Sequence, residues 1–290
     1  MSVKIYAAAK INLFLEVLGK IEDSYYHNVC SVMQSVELCD ILNIDFNKKP
    51  NSVVLKGNRF ESIVRKKNTS YRAATFFLEK LKHHPGITIS CNKNIPVGTG
   101  LGGGSADAAA TLLGLNKLFA NTFSKQKLHE IAKKVGSDVP FCLEGGCYLV
   151  RGTGENLKKI DSEFRAFFVI VKPDYSTSTK KAYELLDKKR FKIRSFKSIL
   201  KAIKSNNIKL VSTNLYNKFE HILINNKIKK IKKELKNFGA INSLMTGTGS
   251  AIYGLFDSED RAIFAKNRLK KIYNEVFFVK NINYSNLIEF

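Results

Sequence analysis

Residues 87–119 read ITISCNKNIPVGTGLGGGSADAAATLLGLNKLF. Three patterns follow one another there. Ile87, Ile89 and Cys91 alternate with polar residues, the period of a strand with one buried face. Gly98, Gly100, Gly102, Gly103 and Gly104 then make a loop whose backbone N–H groups can close on a ligand without interference from Cβ atoms. Leu112, Leu115, Leu118 and Phe119 recur at helical spacing behind it. A helix is therefore expected, with Ser105 at its N-cap and Asp107 in its first turn. A helix start carries unpaired N–H donors and partial positive charge, so strand, glycine loop and helix together read as a phosphate cradle.

Two common phosphate folds do not fit. Gly98, Gly100 and Gly103 match G-x-G-x-x-G, but the dinucleotide version needs a second strand ending in an acid about 20 residues on. Around Phe123 the chain reads NTFSKQKLHE, which is no such strand. A G-x-x-x-x-G-K-[ST] loop occurs nowhere in the sequence, which excludes a Walker A site.

The chain has 290 residues, 44% hydrophobic and 25% charged, enough for a sizeable core and two domains. No apolar run reaches transmembrane length, and the N-terminus MSVKIYAAAKINLFLEV has neither a signal-peptide cleavage region nor the Arg- and Ser-rich character of a transit peptide. A cytoplasmic protein with no membrane partner is expected. Cys30, Cys39, Cys91, Cys142 and Cys147 are odd in number and contain no C-x-x-C pair, so free buried thiols are expected rather than zinc. The net charge of +23 raises the question of a nucleic acid. Of 48 basic residues, 39 are Lys, scattered along the chain, and Lys is a poor reader of base edges. The codon bias that favours Lys, Asn and Ile accounts for the excess, and no specific nucleic-acid partner is expected. The densest run, residues 227–236, carries Ile228, Ile231 and Leu235 at helical spacing and reads as a solvated helix.

Along the chain, residues 3–6 and 11–18 read as strands, the second with Ile11, Leu13, Leu15 and Val17 on one buried face. Tyr26 and His27 fall in a polar loop. Residues 36–56 read as two strands joined near Asn47–Ser52, and 68–81 as a helix burying Ala73, Phe76, Phe77 and Leu81. Ser124 caps a helix to Val135, and Asp138 precedes an apolar strand. Composition shifts near Asn156, which suggests domains of 1–156 and 157–290. The second holds strands near 167–171, 251–256 and 276–279, and helices through Tyr183 and over 258–272.

Residues 96–109, PVGTGLGGGSADAA, resemble the ATP loop of the GHMP kinases, a family that includes galactokinase and the homoserine, mevalonate and phosphomevalonate kinases. The triple glycine followed by Ser-x-Asp-Ala-Ala is most similar to the branch that phosphorylates the 2-hydroxyl of a cytidine-diphosphate-linked methylerythritol, in the non-mevalonate route to isoprenoids. Three further stretches are similar to that branch: residues 8–15 (AAKINLFL), 26–34 (YHNVCSVMQ) and 136–141 (GSDVPF). Residues 243–253, SLMTGTGSAIY, resemble the family's third motif.

The resemblance implies an α+β, two-domain GHMP kinase fold, with a ribosomal-protein-S5-like N-terminal domain and a ferredoxin-like C-terminal one. It implies ATP, with magnesium, held by Pro96, Val97, Gly98, Thr99, Gly100, Leu101, Gly102, Gly103, Gly104, Ser105 and Ala106, with Asn68 near the adenine and Ser105 a candidate metal neighbour. Asp138 is the implied general base and Lys10 its partner. Asn12, Tyr26, His27, Thr179 and Tyr183 are implied to meet the acceptor, the aromatic ones at its cytosine. Residues 152–155 are implied to lie near the acceptor phosphates. Asp23-Ser24-Tyr25-Tyr26-His27 is one residue longer than the family's D-G-Y-H and lacks its glycine, so a different turn is expected there. The alternatives are a homoserine- or mevalonate-type kinase, which has no use for the Tyr-His element, and a basic, non-catalytic nucleic-acid binder, which has no use for Lys10 and Asp138 beside a phosphate cradle.

Overall fold

In the computed structural model, which describes residues 2–22, 24, 26–58, 67–81, 84–189, 191–284 and 286–289, β1 (Ser2–Lys20) runs antiparallel to β2 (His27–Asn47). The two strands expected at 3–6 and 11–18 are thus one. The intervening Ala7–Ala9 are buried and keep the ladder going, although alanine has little strand preference of its own. The register slips between Ala8 and Lys10, between Asn12 and Phe14, and between Val17 and Gly19. Such bulges re-aim side chains, and the first of them falls at Lys10. The strand is buried on both faces rather than one, because a helix packs on it and Thr246 and Tyr253 reach Asn12 from the C-terminal half. His27, expected in a polar loop, instead opens β2. The different turn expected over residues 23–27 involves Asp23 and Tyr25, which lie outside the described residues.

β3 (Val53–Lys56) does not form a hairpin with β2. It pairs in parallel with β4 (Gly86–Asn92), and α1 (Thr69–Leu78) makes the crossover that parallel pairing requires. The strand ahead of the glycine loop is β4, with Ile87, Ile89 and Cys91 buried as expected. The helix behind it, α2 (Gly103–Leu118), starts two residues before Ser105. Its N-cap is Gly102, at φ +75°, a left-handed conformation that a residue with a Cβ adopts reluctantly. α3 (Lys125–Val135) has Ser124 as its N-cap, as expected. The residues after Asp138 form a short helix, α4 (Val139–Glu144), not a strand: Pro140 in its first turn has no N–H to give a ladder but suits a helix start. β5 (Cys147–Gly152) pairs with β2 and with β6 (Asn156–Lys159).

The remaining chain builds a four-stranded antiparallel sheet. β7 (Phe167–Lys172) leads through α5 (Thr179–Asp187), α6 (Lys197–Lys204), α7 (Ile208–Asn214), β8 (Tyr216–Asn217), α8 (Glu220–Leu223) and α9 (Asn226–Asn237) to β9 (Asn242–Met245). Then come β10 (Ile252–Phe256), α10 (Glu259–Leu269) and β11 (Glu275–Lys280). The order β11-β7-β10-β9 is the split βαββαβ arrangement of ferredoxin-like sheets, with extra helices in the first connection. β8 pairs with β1 in parallel, and β12 (Asn286–Glu289) pairs with it antiparallel, so the C-terminal half adds strands to the N-terminal sheet. One core lies between that sheet and α1–α3, and another between the second sheet and α9 and α10. In the Lys-rich α9 the buried residues are Ile228, Ile231 and Leu235. All five cysteines are free, and burial pushes each thiol upward, away from the thiolate form. Among the described residues no helix is long and apolar enough to cross a membrane.

Candidate active site

A cavity of about 720 Å³ opens where β1, the glycine loop, the Ser137–Asp138 turn, the β5–β6 turn, α5 and the 243–253 motif meet. That is the size of a small-molecule site. Its floor is Lys10, only 4% exposed. The Lys10 N–H donates to Leu101 O at 2.9 Å, which ties the lysine to the glycine loop. The loop can pass this close because Gly102 lacks a side chain: a Cβ there would lie 2.9 Å from Lys10 Cγ. Lys10 Nζ donates to Asn12 Oδ1 at 2.9 Å and sits 3.4 Å from Asp138 Oδ2. Asp138 holds the N-cap position of α4, yet its side chain makes no capping bond. Its carboxylate is therefore available to Lys10 and the cavity, and it is 28% exposed.

Asn12 also lines the cavity, but its carboxamide is engaged within the protein. Oδ1 accepts from Lys10 Nζ, from Thr246 Oγ1 at 3.1 Å and from the Gly247 N–H at 3.0 Å, and Nδ2 donates to Ser31 Oγ at 2.8 Å. These bonds join β1 to the 243–253 motif. That motif is shaped in turn by Asn217, whose Nδ2 donates to Met245 O and Gly247 O at 2.6 and 2.7 Å. The glycine loop lies against it as well, since a Cβ on Gly100 would be 2.2 Å from Thr246 O.

At another part of the cavity lie four aromatic rings. Tyr26 is 64% exposed, and His27 is buried with its ring stacked on Tyr183, centroids 4.4 Å apart. Phe219 meets Tyr183 edge-on at 5.0 Å. Burial, with the charge of Asp138 adding, pushes the Tyr183 hydroxyl up to about 12, so it stays protonated. Thr179 Oγ1 lies 3.0 Å from Thr248 Oγ1, and the Thr177 hydroxyl donates to Thr248 O, so the start of α5 is pinned to the 243–253 motif. Thr153 and Gly154 line the cavity beside Asp138, with Glu155 Oε2 accepting from both the amide and the hydroxyl of Thr153.

The glycine loop borders the cavity through Gly100 and Gly102. The first-turn N–H groups of α2, on Gly103, Gly104 and Ser105, have no helical acceptor, and among the described residues no side chain caps them. Such a bare N-terminus suits an anionic ligand. Leu101 and Ala106 are buried, Val97 is exposed, and the Thr99 hydroxyl donates back to Pro96 O at 2.8 Å. Asn68 is the N-cap of α1. Its Oδ1 accepts from Ser70 N and Tyr71 N, and it is buried outside the cavity lining. The next residue, Thr69, donates to Gly104 O at 2.5 Å, which brings the start of α1 against the loop.

Asp40, Lys93 and Asp187 had no sequence signal of their own. Beneath the loop, Lys93 bridges Asp40 and Asp107, all three buried, with 2.6 Å to Asp107. Asp40 Oδ1 accepts from Asn94 N and Ile95 N at 2.6 and 2.8 Å. Burial raises the Asp107 carboxyl to about 8, with Asp40 adding and Lys93 opposing. Asp187 lies 2.7 Å from His27 Nε2. It stands four residues after Tyr183, and helical spacing alone could have placed it on that face. Lys20 and Lys180 bring positive charge to the cavity. Among the described residues no three His, Cys, Asp or Glu side chains come together as a metal cage.

Comparison with known proteins agrees along the chain. The GHMP kinases N terminal domain profile matches residues 68–146, and the GHMP kinases C terminal profile matches 199–275. A 4-diphosphocytidyl-2-C-methyl-D-erythritol kinase of Caldicellulosiruptor bescii is 40% identical over 278 residues, covering 94% of this chain and 96% of that protein. One of Clostridium tetani is 38% identical over 283 residues, 97% of this chain and 100% of that protein. The crystal structure of a 4-(cytidine 5'-diphospho)-2C-methyl-D-erythritol kinase superposes with a TM-score of 0.81 at 28% identity, covering 96% and 98% of the two chains. A homoserine kinase from Cytophaga hutchinsonii shares the fold, with a TM-score of 0.77 at 19% identity over 99% and 97% of the chains.

Proposed function

The chain belongs to the 4-diphosphocytidyl-2-C-methyl-D-erythritol kinase branch of the GHMP kinase family, and we propose that the cavity at Lys10 and Asp138 is where it works. The activity is ATP-dependent phosphorylation of the acceptor's 2-hydroxyl, in isoprenoid biosynthesis. The observation that carries the site assignment is a juxtaposition. One cavity holds a Lys–Asp pair, the glycine loop before a bare helix N-terminus, and an aromatic cluster fit for a nucleobase.

Phosphoryl transfer asks for positioning and charge neutralisation more than covalent chemistry. The amides of Gly103, Gly104 and Ser105 would hold the ATP phosphates, with residues 96–106 shaping the cradle and the Asn68–Thr69 helix start beside it. Asp138 takes the proton of the acceptor hydroxyl as it attacks, acting as general base. Lys10 sits beside the oxygen that gains charge and holds the carboxylate in place. Tyr26, His27 and Tyr183 take the cytosine ring, with Thr179 nearby, and Lys20, Lys180 and the Thr153–Gly154 turn face the diphosphate. Asn12 serves by aiming Lys10 and tying it to the 243–253 motif. Magnesium, when bound, neutralises the transferring phosphates. It would fit here as an ion carried by them, with Ser105 and Asp138 as the residues that would help hold it, since magnesium keeps most of its ligands as water and phosphate. Residues 1–156 carry the ATP loop in this reading, and 157–290 close the site over it. A cytoplasmic location, where ATP is supplied, goes with it.

The test is release of ADP from ATP and magnesium, with the cytidyl-diphospho-methylerythritol acceptor and with homoserine and mevalonate as controls. Release that depends on the cytidyl compound alone is expected. Release with a control instead would discard the nucleobase site, and none with any acceptor would discard the whole reading.

A further inference from the structure

One helix face holds the imidazole of His27 on two sides. Tyr183 and Asp187, four apart in α5, share that face. Tyr183 stacks on the ring at 4.4 Å and 27°, and Asp187 Oδ1 lies 2.7 Å from Nε2. Phe219 steadies Tyr183 from behind. A carboxylate only accepts hydrogen bonds, so the contact with Asp187 requires the proton on Nε2. In the neutral imidazole Nδ1 is then a bare acceptor, and among the described residues no group donates to it. His27 and Asp187 both line the cavity.

Resting on the reading that the acceptor's cytosine lies at this cluster, we propose that Asp187 sets the base preference of the enzyme. By fixing His27 as the Nε2–H tautomer, it presents the Nδ1 acceptor to the exocyclic 4-amino group of cytosine. Uracil has a carbonyl oxygen at that position, and two acceptors facing each other repel. Asp187 does not touch the base. It is a positioning residue that acts through His27, and the discrimination comes from leaving the wrong base without a partner in a buried site.

The experiment compares kcat/KM for the cytidyl-diphospho-methylerythritol acceptor and its uridyl analogue. The wild type is expected to favour the cytidyl compound by ~100-fold or more. Asp187→Ala lets the ring take either tautomer, so the preference should fall below about 10-fold, through a higher KM for the cytidyl acceptor with the KM for ATP unmoved. Asp187→Asn can donate to Nε2 as well as accept from it, and should also lower the preference. A preference kept in both variants overturns the inference and leaves the function standing, as does a wild type that takes both acceptors equally well. A wild type inactive with the cytidyl compound overturns the functional reading itself. A second measurement is independent of substrate: ¹⁵N NMR of the imidazoles at about pH 8, above the usual range of histidine, with His27 assigned by its loss in His27→Gln. The Nε2–H tautomer is expected, and an Nδ1–H signal at His27 overturns the proposal.

Discussion

Asp138 sits where a residue ordinarily caps a helix, but its carboxylate caps nothing and faces Lys10 Nζ 3.4 Å away. Lys10 is aimed in turn by Asn12 Oδ1 at 2.9 Å and by its own N–H on Leu101 O. A general base in this position contributes about 10²–10⁴-fold to rate. Asp138→Asn keeps the size of the side chain and removes the base, so kcat should fall by that order while the KM for ATP changes little; steady-state kinetics that left kcat within a few-fold of wild type would remove Asp138 from the role. At this scale the sequence was informative only by analogy. A lysine at the head of an apolar strand and an aspartate after a Gly-Ser pair are ordinary residues, and each was singled out through a motif it shares with a family. The carboxamide of Asn12 shows the limit of that route: its four bonds to Lys10, Thr246, Gly247 and Ser31 cannot be read from any local pattern.

The glycine loop is an element with a brace at its base. Lys93 follows the end of β4 and Asp107 lies in the second turn of α2, not the first as expected, because the helix starts at Gly103; their buried ion pair joins the two ends of the loop, with Asp40 as the second carboxylate on the same lysine. One buried cation does not balance two buried carboxylates, and burial raises the Asp107 carboxyl from 3.8 to about 8. The folded protein therefore holds a proton there that the unfolded chain releases. Stability from this group is greatest at acid pH, falls as pH climbs from about 4 to about 8, and is level above that. Lys93 is raised instead, by both carboxylates against the cost of burial, so its contribution is lost only on the far alkaline side. Melting curves between pH 5 and 9 should show Asp107→Asn gaining on the wild type as pH rises; parallel curves would mean that Asp107 does not titrate in this window. Strand β4 and helix α2 were legible because their periods are local and clean. The pairing of β3 with β4 was not, since a parallel partner across a helix leaves no mark on a four-residue strand, and a hairpin was the simpler reading of residues 36–56.

At the scale of the molecule, the candidate active site is a seam between two sheets, closed by backbone packed on backbone. Gly100, at φ +80°, has Thr246 O where its Cβ would lie, 2.2 Å away, and Ala251 N donates to Thr99 O across the same seam. Gly98 has a similar φ, +71°, but a Cβ there would meet only Ser176 Cβ, at 3.9 Å. Gly98→Ala should therefore cost only the left-handed backbone, about 1–2 kcal/mol. Gly100→Ala should cost more than that and also lower kcat/KM by at least ~10-fold, because the loop and the 243–253 motif must part. Denaturant unfolding and kinetics on the pair separate the two effects, and equal losses would show that the seam tolerates opening. The amino-acid sequence by itself determined the chemistry on offer: the glycines that bare a helix start, the periods of β4, α2, α3 and α9, and the motifs that mark a GHMP kinase. Propensity and periodicity act over a few residues, so they reach no further. That Lys10 meets Asp138, that His27 meets Asp187 from 160 residues away, and that β8 and β12 return to the first sheet were decided by tertiary structure. Only the packing of the two halves brings those groups within bonding distance, and burial then gives their charges and hydrogen bonds an effect they lack in water.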